Sequence, residues 1–188
     1  MKVILLDRDG VINHDSVDFI KSAAEWQPIE GSLEAIARLS RAGWRVFVCS
    51  NQSGIGRGLF SFDQLFAIHD ALHSGVAALG GRIDGIVYCP HDPDADCACR
   101  KPKPGMLLEV AKRLNLDTLQ GVSMVGDSLR DLEAARVAGN VRLSMRKPQW
   151  FLPKFMFGQP SDVFASGSAW LPRWLRSGIL TFSGVASN

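Results

Sequence analysis

Short apolar runs separated by longer stretches of helical period constrain this chain more than any other feature. Val3 to Leu6, Val46 to Cys49, Ile86 to Tyr88 and Val122 to Val125 are such runs, each short enough for a strand buried on both faces. Between them, apolar residues recur at helical spacing. One helix is predicted after Gly31-Ser32, with Ser32 as its cap and Gly43 as its stop. A second runs from Phe62 to Leu79, with Leu65, Ile68, Leu72, Val76 and Leu79 on one face and Gly80-Gly81 beyond it. A third spans Gly105 to Leu114, entered through Pro104, and a fourth Asp131 to Ala138, closed by Gly139. Strands alternating with helices predict a parallel sheet joined by crossover helices. The polar clusters of the chain fall just past the carboxyl ends of these strands, where open α/β sheets hold their ligands.

Composition narrows the partners. The chain has 188 residues, 46% of them hydrophobic, which is enough for one globular core. A net charge of +2, with both signs mixed along most of the length, leaves no nucleic-acid tail and no polybasic membrane patch. The start, Met1-Lys2 before a short apolar run, lacks the pattern of a signal peptide, and no stretch is long and apolar enough to span a bilayer. The expectation is a cytoplasmic, monomeric protein whose partners are small molecules, with no nucleic acid and no membrane.

Asp7 and Asp9 follow the first strand directly, so both carboxylates can face one cleft. Ionised together they repel unless a cation lies between them. Asp127, after the fourth strand, can add a third oxygen, and carboxylates with a carbonyl, water and phosphate oxygen suit Mg²⁺. With its charge offset by Mg²⁺ and Lys101, Asp7 could attack phosphorus in an anionic ester. Asp9 would then protonate the leaving alkoxide and later activate water. Ser50 and Asn51, at the end of the second strand, offer a hydroxyl and N–H groups to phosphoryl oxygens.

The cysteines are unevenly placed. Cys89, His91, Cys97 and Cys99 together make a complete tetrahedral set for Zn²⁺, and a full set leaves no open position, which predicts a structural ion pinning the following Arg100-Lys101. Cys49, among apolar neighbours, reads as a buried strand residue. His69 and His73 read as a solvated helix face, and Trp26 and Trp44 as core or edge packing. Arg57, in Gly54-Ile-Gly-Arg-Gly58, fits either a phosphate cradle or a turn whose glycines serve only its geometry.

Taken in order, Asp7-Arg-Asp9, Ser50, Lys101 and Gly126-Asp127 resemble the signature elements of the haloacid dehalogenase-like hydrolase superfamily. The match covers about residues 3 to 139. It implies a three-layer, Rossmann-like α/β fold with helices on both faces of the sheet and no large cap domain. Within the superfamily, Asp7-Arg-Asp-Gly-Val-Ile-Asn13, Ser50-Asn-Gln-Ser-Gly54, Cys89-Pro-His91, Cys97-Ala-Cys-Arg-Lys-Pro102 and Pro104-Gly-Met106 resemble a zinc-loop branch acting on heptose bisphosphates. That resemblance implies removal of the 7-phosphate of D-glycero-D-manno-heptose 1,7-bisphosphate in a surface-glycan precursor pathway, such as that of lipopolysaccharide. Histidinol phosphate, the substrate of a related group, is the alternative. A weakly active phosphosugar-binding protein is another. The same resemblance implies that Asp7 is the nucleophile and Asp9 the acid/base, with Mg²⁺ on Asp7, the Asp9 carbonyl and Asp127. It further implies that Asp15, Ser16, Val17 and Asp18 lie over the sugar. Ser50, Asn51, Gln52 and Ser53, with Arg100 and Lys101, would then contact substrate or phosphoryl group.

Past Asn140 the pattern stops. Arg142, Arg146, Lys147, Lys154, Arg173 and Arg176 face a single acid, Asp162, and Pro148, Pro153, Pro160 and Pro172 interrupt any period. A fifth strand over Val141 to Met145 is the last element expected. The division is thus a phosphatase-like domain over 1–140 and an off-pattern tail over 141–188. The tail is either a partly disordered extension or the product of a frame shift near Asn140, and the abrupt loss of acids favours the second.

Overall fold

The computed structural model describes residues 1–139 and the strand at 142–145. The reading of residues 146–188 as an off-pattern tail lies outside the described residues. Among the described residues there are five parallel strands, β1 Lys2–Leu6, β2 Trp44–Asn51, β3 Gly85–Cys89, β4 Ser123–Gly126 and β5 Arg142–Met145. Five helices accompany them, α1 Ser32–Arg41, α2 Ser53–Gly56, α3 Phe62–Ala78, α4 Gly105–Arg113 and α5 Leu129–Val137. The strand order is β3-β2-β1-β4-β5. After β3 the chain crosses to the far side of β1, so the strand order reverses between β1 and β4, and a crevice opens at their carboxyl ends.

Two-residue periodicity assigns each face of the sheet. Val3 and Leu5 of β1, with Phe47 and Cys49 of β2, pack against Met106, Leu107 and Val110 of α4 and Ala134 and Ala135 of α5. Ile4 and Leu6, with Val46 and Val48, face Ile36 of α1 and Leu72 and Val76 of α3. This three-layer arrangement agrees with the fold expected from the resemblance. Trp26 and Trp44 lie partly buried at the edge of the second layer, and Cys49 is fully buried, as expected.

Several boundaries differ from the sequence reading for local physical reasons. Ser32 is the first helical residue of α1 rather than its cap; Gly31, at φ 79°, turns the chain, and the Ser32 hydroxyl donates to the Ile12 carbonyl at 2.7 Å. The last helix begins at Leu129, two residues earlier than predicted, because Ser128 N–H and Oγ both donate to Asp131, at 3.1 and 2.7 Å. β2 extends to Asn51, since pairing with β3 carries Ser50 and Asn51 into the ladder. Residues 7–31 contain only isolated bridges, Asp9 with Asn13 and Asn13 with Pro28, and form loops over the crevice instead of a large cap.

Leu5 lies in the middle strand of the sheet with no exposed surface. Leu5→Ala should lower unfolding free energy by about 2–5 kcal/mol in denaturant titration, with the slope unchanged.

Candidate active site

Asp7 is held at the end of β1 by its own N–H, which donates to the Val125 carbonyl of β4 at 2.9 Å. The chain then turns tightly, because Ile12 and Asn13 N–H groups both donate to the Arg8 carbonyl. Gly10 permits this turn. It sits at φ 75°, and a Cβ there would stand 1.9 Å from Asp127 Oδ2, so only glycine lets the β4 carboxylate approach the β1 loop.

Lys101 joins the two sides of the crevice. Its Nζ lies 3.0 Å from Asp7 Oδ1 and 2.6 Å from Asp131 Oδ1, and donates to the Cys49 carbonyl at 2.8 Å. The side chain is 2% exposed. Burial works against its charge, but Asp7 and Asp131 outweigh that and hold the ammonium above the ordinary lysine value. Burial is also the largest influence on Asp7. It pushes the carboxyl up to about 7, opposed by Lys101 and reinforced by Asp131 and Asp9. Asp127 is pushed up to about 6, first by burial and then by Asp131 and Asp15.

Carboxylate oxygens of Asp7, Asp127 and Asp131 all lie within 4.8 Å of one another. Crowded, buried carboxylates are what a hard divalent cation relieves, so the donor set fits Mg²⁺. Asp131 was not assigned a role from sequence. Its signal lay in Gly-Asp-x-x-x-Asp, in which the second acid falls one helical turn after the first, yet only the fold shows it bound to Lys101.

Around this centre, Asp9, Asp15, Ser16, Val17, Ser50, Asn51, Gln52, Ser53, Arg100 and Asp127 line one cleft. Asp18 is not among them and lines a neighbouring depression with Lys21 and Glu25. Phe19, Ile20, Ser128 and Arg130 join the lining without having been foreseen. Asn51 faces its loop as well as the cleft. Its side-chain amide donates to the Lys101 carbonyl and accepts from the Lys101 N–H, both at 3.0 Å, which fixes the backbone that delivers the lysine. One guanidinium nitrogen of Arg100, Nη1, is buried with no hydrogen-bond partner among the described residues.

Arg8 and Asn13 were also missed. Arg8, between the two aspartates, turns inward and is 1% exposed, bonding Asp9 and Gln52. Residue type gives no hint of this, since an arginine in a loop is ordinarily solvated.

The cysteine loop closes on itself. The sulfur atoms of Cys89, Cys97 and Cys99 lie 3.2–3.5 Å apart, and His91 Nδ1 is 3.5 Å from Cys89 Sγ and 3.3 Å from Cys99 Sγ. All three cysteines are free thiols, and four N and S donors at this spacing fit a tetrahedral ion such as Zn²⁺. Gly56 packs against this loop, where a Cβ would stand 2.6 Å from the Asp92 nitrogen, and Arg57 pairs with Asp92 at 3.0 Å. Gly56 therefore serves packing and Gly58, at φ 69°, serves the turn, and Arg57 is not part of the cleft lining. His69 is a correction: it is buried beside Tyr88 rather than solvated, and burial pushes its imidazole down to about 4, while His73 is exposed.

Comparison with known proteins agrees with this geometry. The sequence profile of haloacid dehalogenase-like hydrolases matches residues 2–139, and the chain belongs to that family. Its relatives narrow the class. It is 57% identical over 139 residues to the D-glycero-beta-D-manno-heptose-1,7-bisphosphate 7-phosphatase of Bordetella bronchiseptica, covering 74% of this chain and 77% of that one. It is likewise 57% identical over 134 residues to the enzyme of that name from Pseudomonas aeruginosa, covering 71% and 75%. A crystal structure of the D,D-heptose 1,7-bisphosphate phosphatase from B. bronchiseptica, complexed with magnesium and phosphate, superposes with a TM-score of 0.74 at 55% identity. That match covers 76% of this chain and 79% of the other.

A carboxyl whose folded pKa exceeds its unfolded value binds its proton more tightly in the native state. The metal-free protein should therefore lose stability as pH rises from about 4 through the Asp127 and Asp7 values of about 6 and about 7. Mg²⁺ should restore it, raising Tm by about 5 °C at pH 8 and much less at pH 5.5, where protons already fill the site. Thermal scans with and without Mg²⁺ across this range check both trends.

Proposed function

We propose that this protein is a Mg²⁺-dependent phosphatase that removes the 7-phosphate of D-glycero-D-manno-heptose 1,7-bisphosphate through an aspartyl-phosphate on Asp7. The observation that carries the reading is the desolvated Asp7 carboxyl, paired with the buried ammonium of Lys101 in a crevice shared with Asp9 and Asp127. High identity to phosphatases of that name supports the substrate assignment. The same reading makes it a cytoplasmic monomer supplying heptose for surface glycans such as lipopolysaccharide. Among the described residues, no helix is long and apolar enough to cross a membrane.

The chain's own groups account for both halves of the reaction. Lys101 offsets the charge of Asp7 as the anionic ester approaches, and Ser50 Oγ offers a donor to the phosphoryl oxygens. An Asp7 oxygen attacks phosphorus, the phosphorus–oxygen bond to the sugar breaks, and the departing alkoxide takes a proton from Asp9. Asp9 then removes a proton from water, whose oxygen attacks the acyl phosphate, releasing inorganic phosphate and regenerating Asp7. Asp7, Asp127 and the Asp9 carbonyl would hold Mg²⁺, which when bound would supply charge neutralisation to the phosphoryl group. Asp15, Ser16 and Val17 cover the sugar, and Arg100 meets its anionic groups. Cys89, His91, Cys97 and Cys99 would hold Zn²⁺, which would pin the loop that carries Arg100 and Lys101.

Steady-state kinetics test the substrate. A kcat/KM at least about tenfold higher for the heptose bisphosphate than for histidinol phosphate is expected, and the reverse preference would overturn the assignment. Asp7→Asn should lower turnover at least about a thousandfold; equal activity of variant and wild type would remove the nucleophile, as would a wild type with no turnover above the variant. Elemental analysis should find one zinc per chain, lost in Cys97→Ser together with several degrees of Tm.

A further inference from the structure

Arg8 heads the largest fully buried side chains among the described residues, at 1% exposure. A guanidinium removed from water is costly unless its charge and N–H groups are met, so its partners reveal what it is there to hold. Nε donates to Asp9 Oδ1 and Nη2 to Asp9 Oδ2, both at 3.0 Å, a two-pronged grip on the adjacent carboxylate. Nη1 has no hydrogen-bond partner among the described residues, while Nη2 also donates to Gln52 Oε1 at 3.0 Å.

That last bond fixes the Gln52 amide. Arginine has no acceptor, so the amide oxygen must face it, and the NH₂ group turns to Asp9 Oδ2 at 2.9 Å and Ser50 Oγ at 2.7 Å. Asn13, wholly buried, donates to Asp9 Oδ1 at 2.8 Å. Each Asp9 oxygen thus receives two N–H groups, one of them from Arg8. A proton carried by Asp9 must therefore displace the Asn13 or the Gln52 donor from one oxygen, while the Arg8 fork keeps its grip on both and holds the carboxyl in place.

We infer that Arg8 is a positioning residue, which fixes the Asp9 carboxylate for proton transfer to the leaving oxygen and locks Gln52 and Ser50 into the same network. This rests on the proposed role of Asp9 as acid and base. A lysine in place of Arg8 would keep the charge but not the fork, because an ammonium is a point donor.

The leaving group provides the test. A sugar alkoxide departs only with a proton, whereas nitrophenolate departs without one. Because kcat/KM reports steps up to the first irreversible departure, it isolates the proton-donating half of the reaction. With the full chain, Arg8→Lys should lose at least about thirtyfold in kcat/KM on the heptose bisphosphate but less than about threefold on p-nitrophenyl phosphate. Asp9→Asn should show the same bias. In the Asp9→Asn background, Arg8→Lys should add less than about twofold, since the two act as one unit.

Equal losses on both esters, or losses that multiply in the double variant, would make Arg8 a packing residue and overturn the inference. Should Arg8→Lys fail to fold by circular dichroism, Gln52→Met, which keeps the buried charge paired with Asp9, should give the same leaving-group bias in weaker form. Its absence would overturn the inference equally. A wild type without Asp7-dependent turnover on either ester would instead overturn the catalytic reading itself, and this inference with it.

Discussion

One buried ammonium organises the site. Lys101 comes from the loop after β3, yet it touches Asp7 after β1, the Cys49 carbonyl of β2 and Asp131 after β4. A cation at 2% exposure could not remain there without partners, and the two carboxylates could not be so close without a cation. The interaction therefore ties three strand ends to one irregular loop. It also supplies the positive charge that an aspartate needs before it meets a phosphate ester.

Such dependence places a demand on the loop that delivers the lysine. Between Cys89 and Gly105 the only regular structure is a single 3₁₀ turn, Pro93–Ala95, so the loop has little hydrogen bonding of its own. The reciprocal amide bonds of Asn51 hold the Lys101 backbone, and Arg57 and Gly56 hold the segment near Asp92. The Cys89, His91, Cys97 and Cys99 cluster closes the same segment from within. Small loops, each tied at a few points, take the place of a cap domain.

The two aspartates of one Asp-x-Asp pair meet opposite environments. Asp7 is desolvated and crowded by Asp131 and Asp9, which raises its pKa to about 7 against the pull of Lys101. Asp9 is wrapped by four N–H groups from Arg8, Asn13 and Gln52. Neighbouring carboxyls placed so differently can divide nucleophilic and proton-transfer work between them.

Much of this was legible in the sequence, because the strand runs, the helical faces and the order of Asp7, Asp9, Ser50, Lys101 and Asp127 are local patterns. A residue buried on both faces of a parallel strand must be apolar, and a metal or phosphate site must carry acids and cations, so type and spacing alone determine the layers, the crevice and the cysteine-histidine set. The roles of Arg8, Asn13 and Asp131, the burial of His69 and the exit of Asp18 from the cleft were decided only by tertiary structure. Each of these depends on which way a polar side chain turns from its loop or helix. That is set by partners distant in sequence, such as Gln52 for Arg8 and Lys101 for Asp131, which come within reach only when the sheet closes.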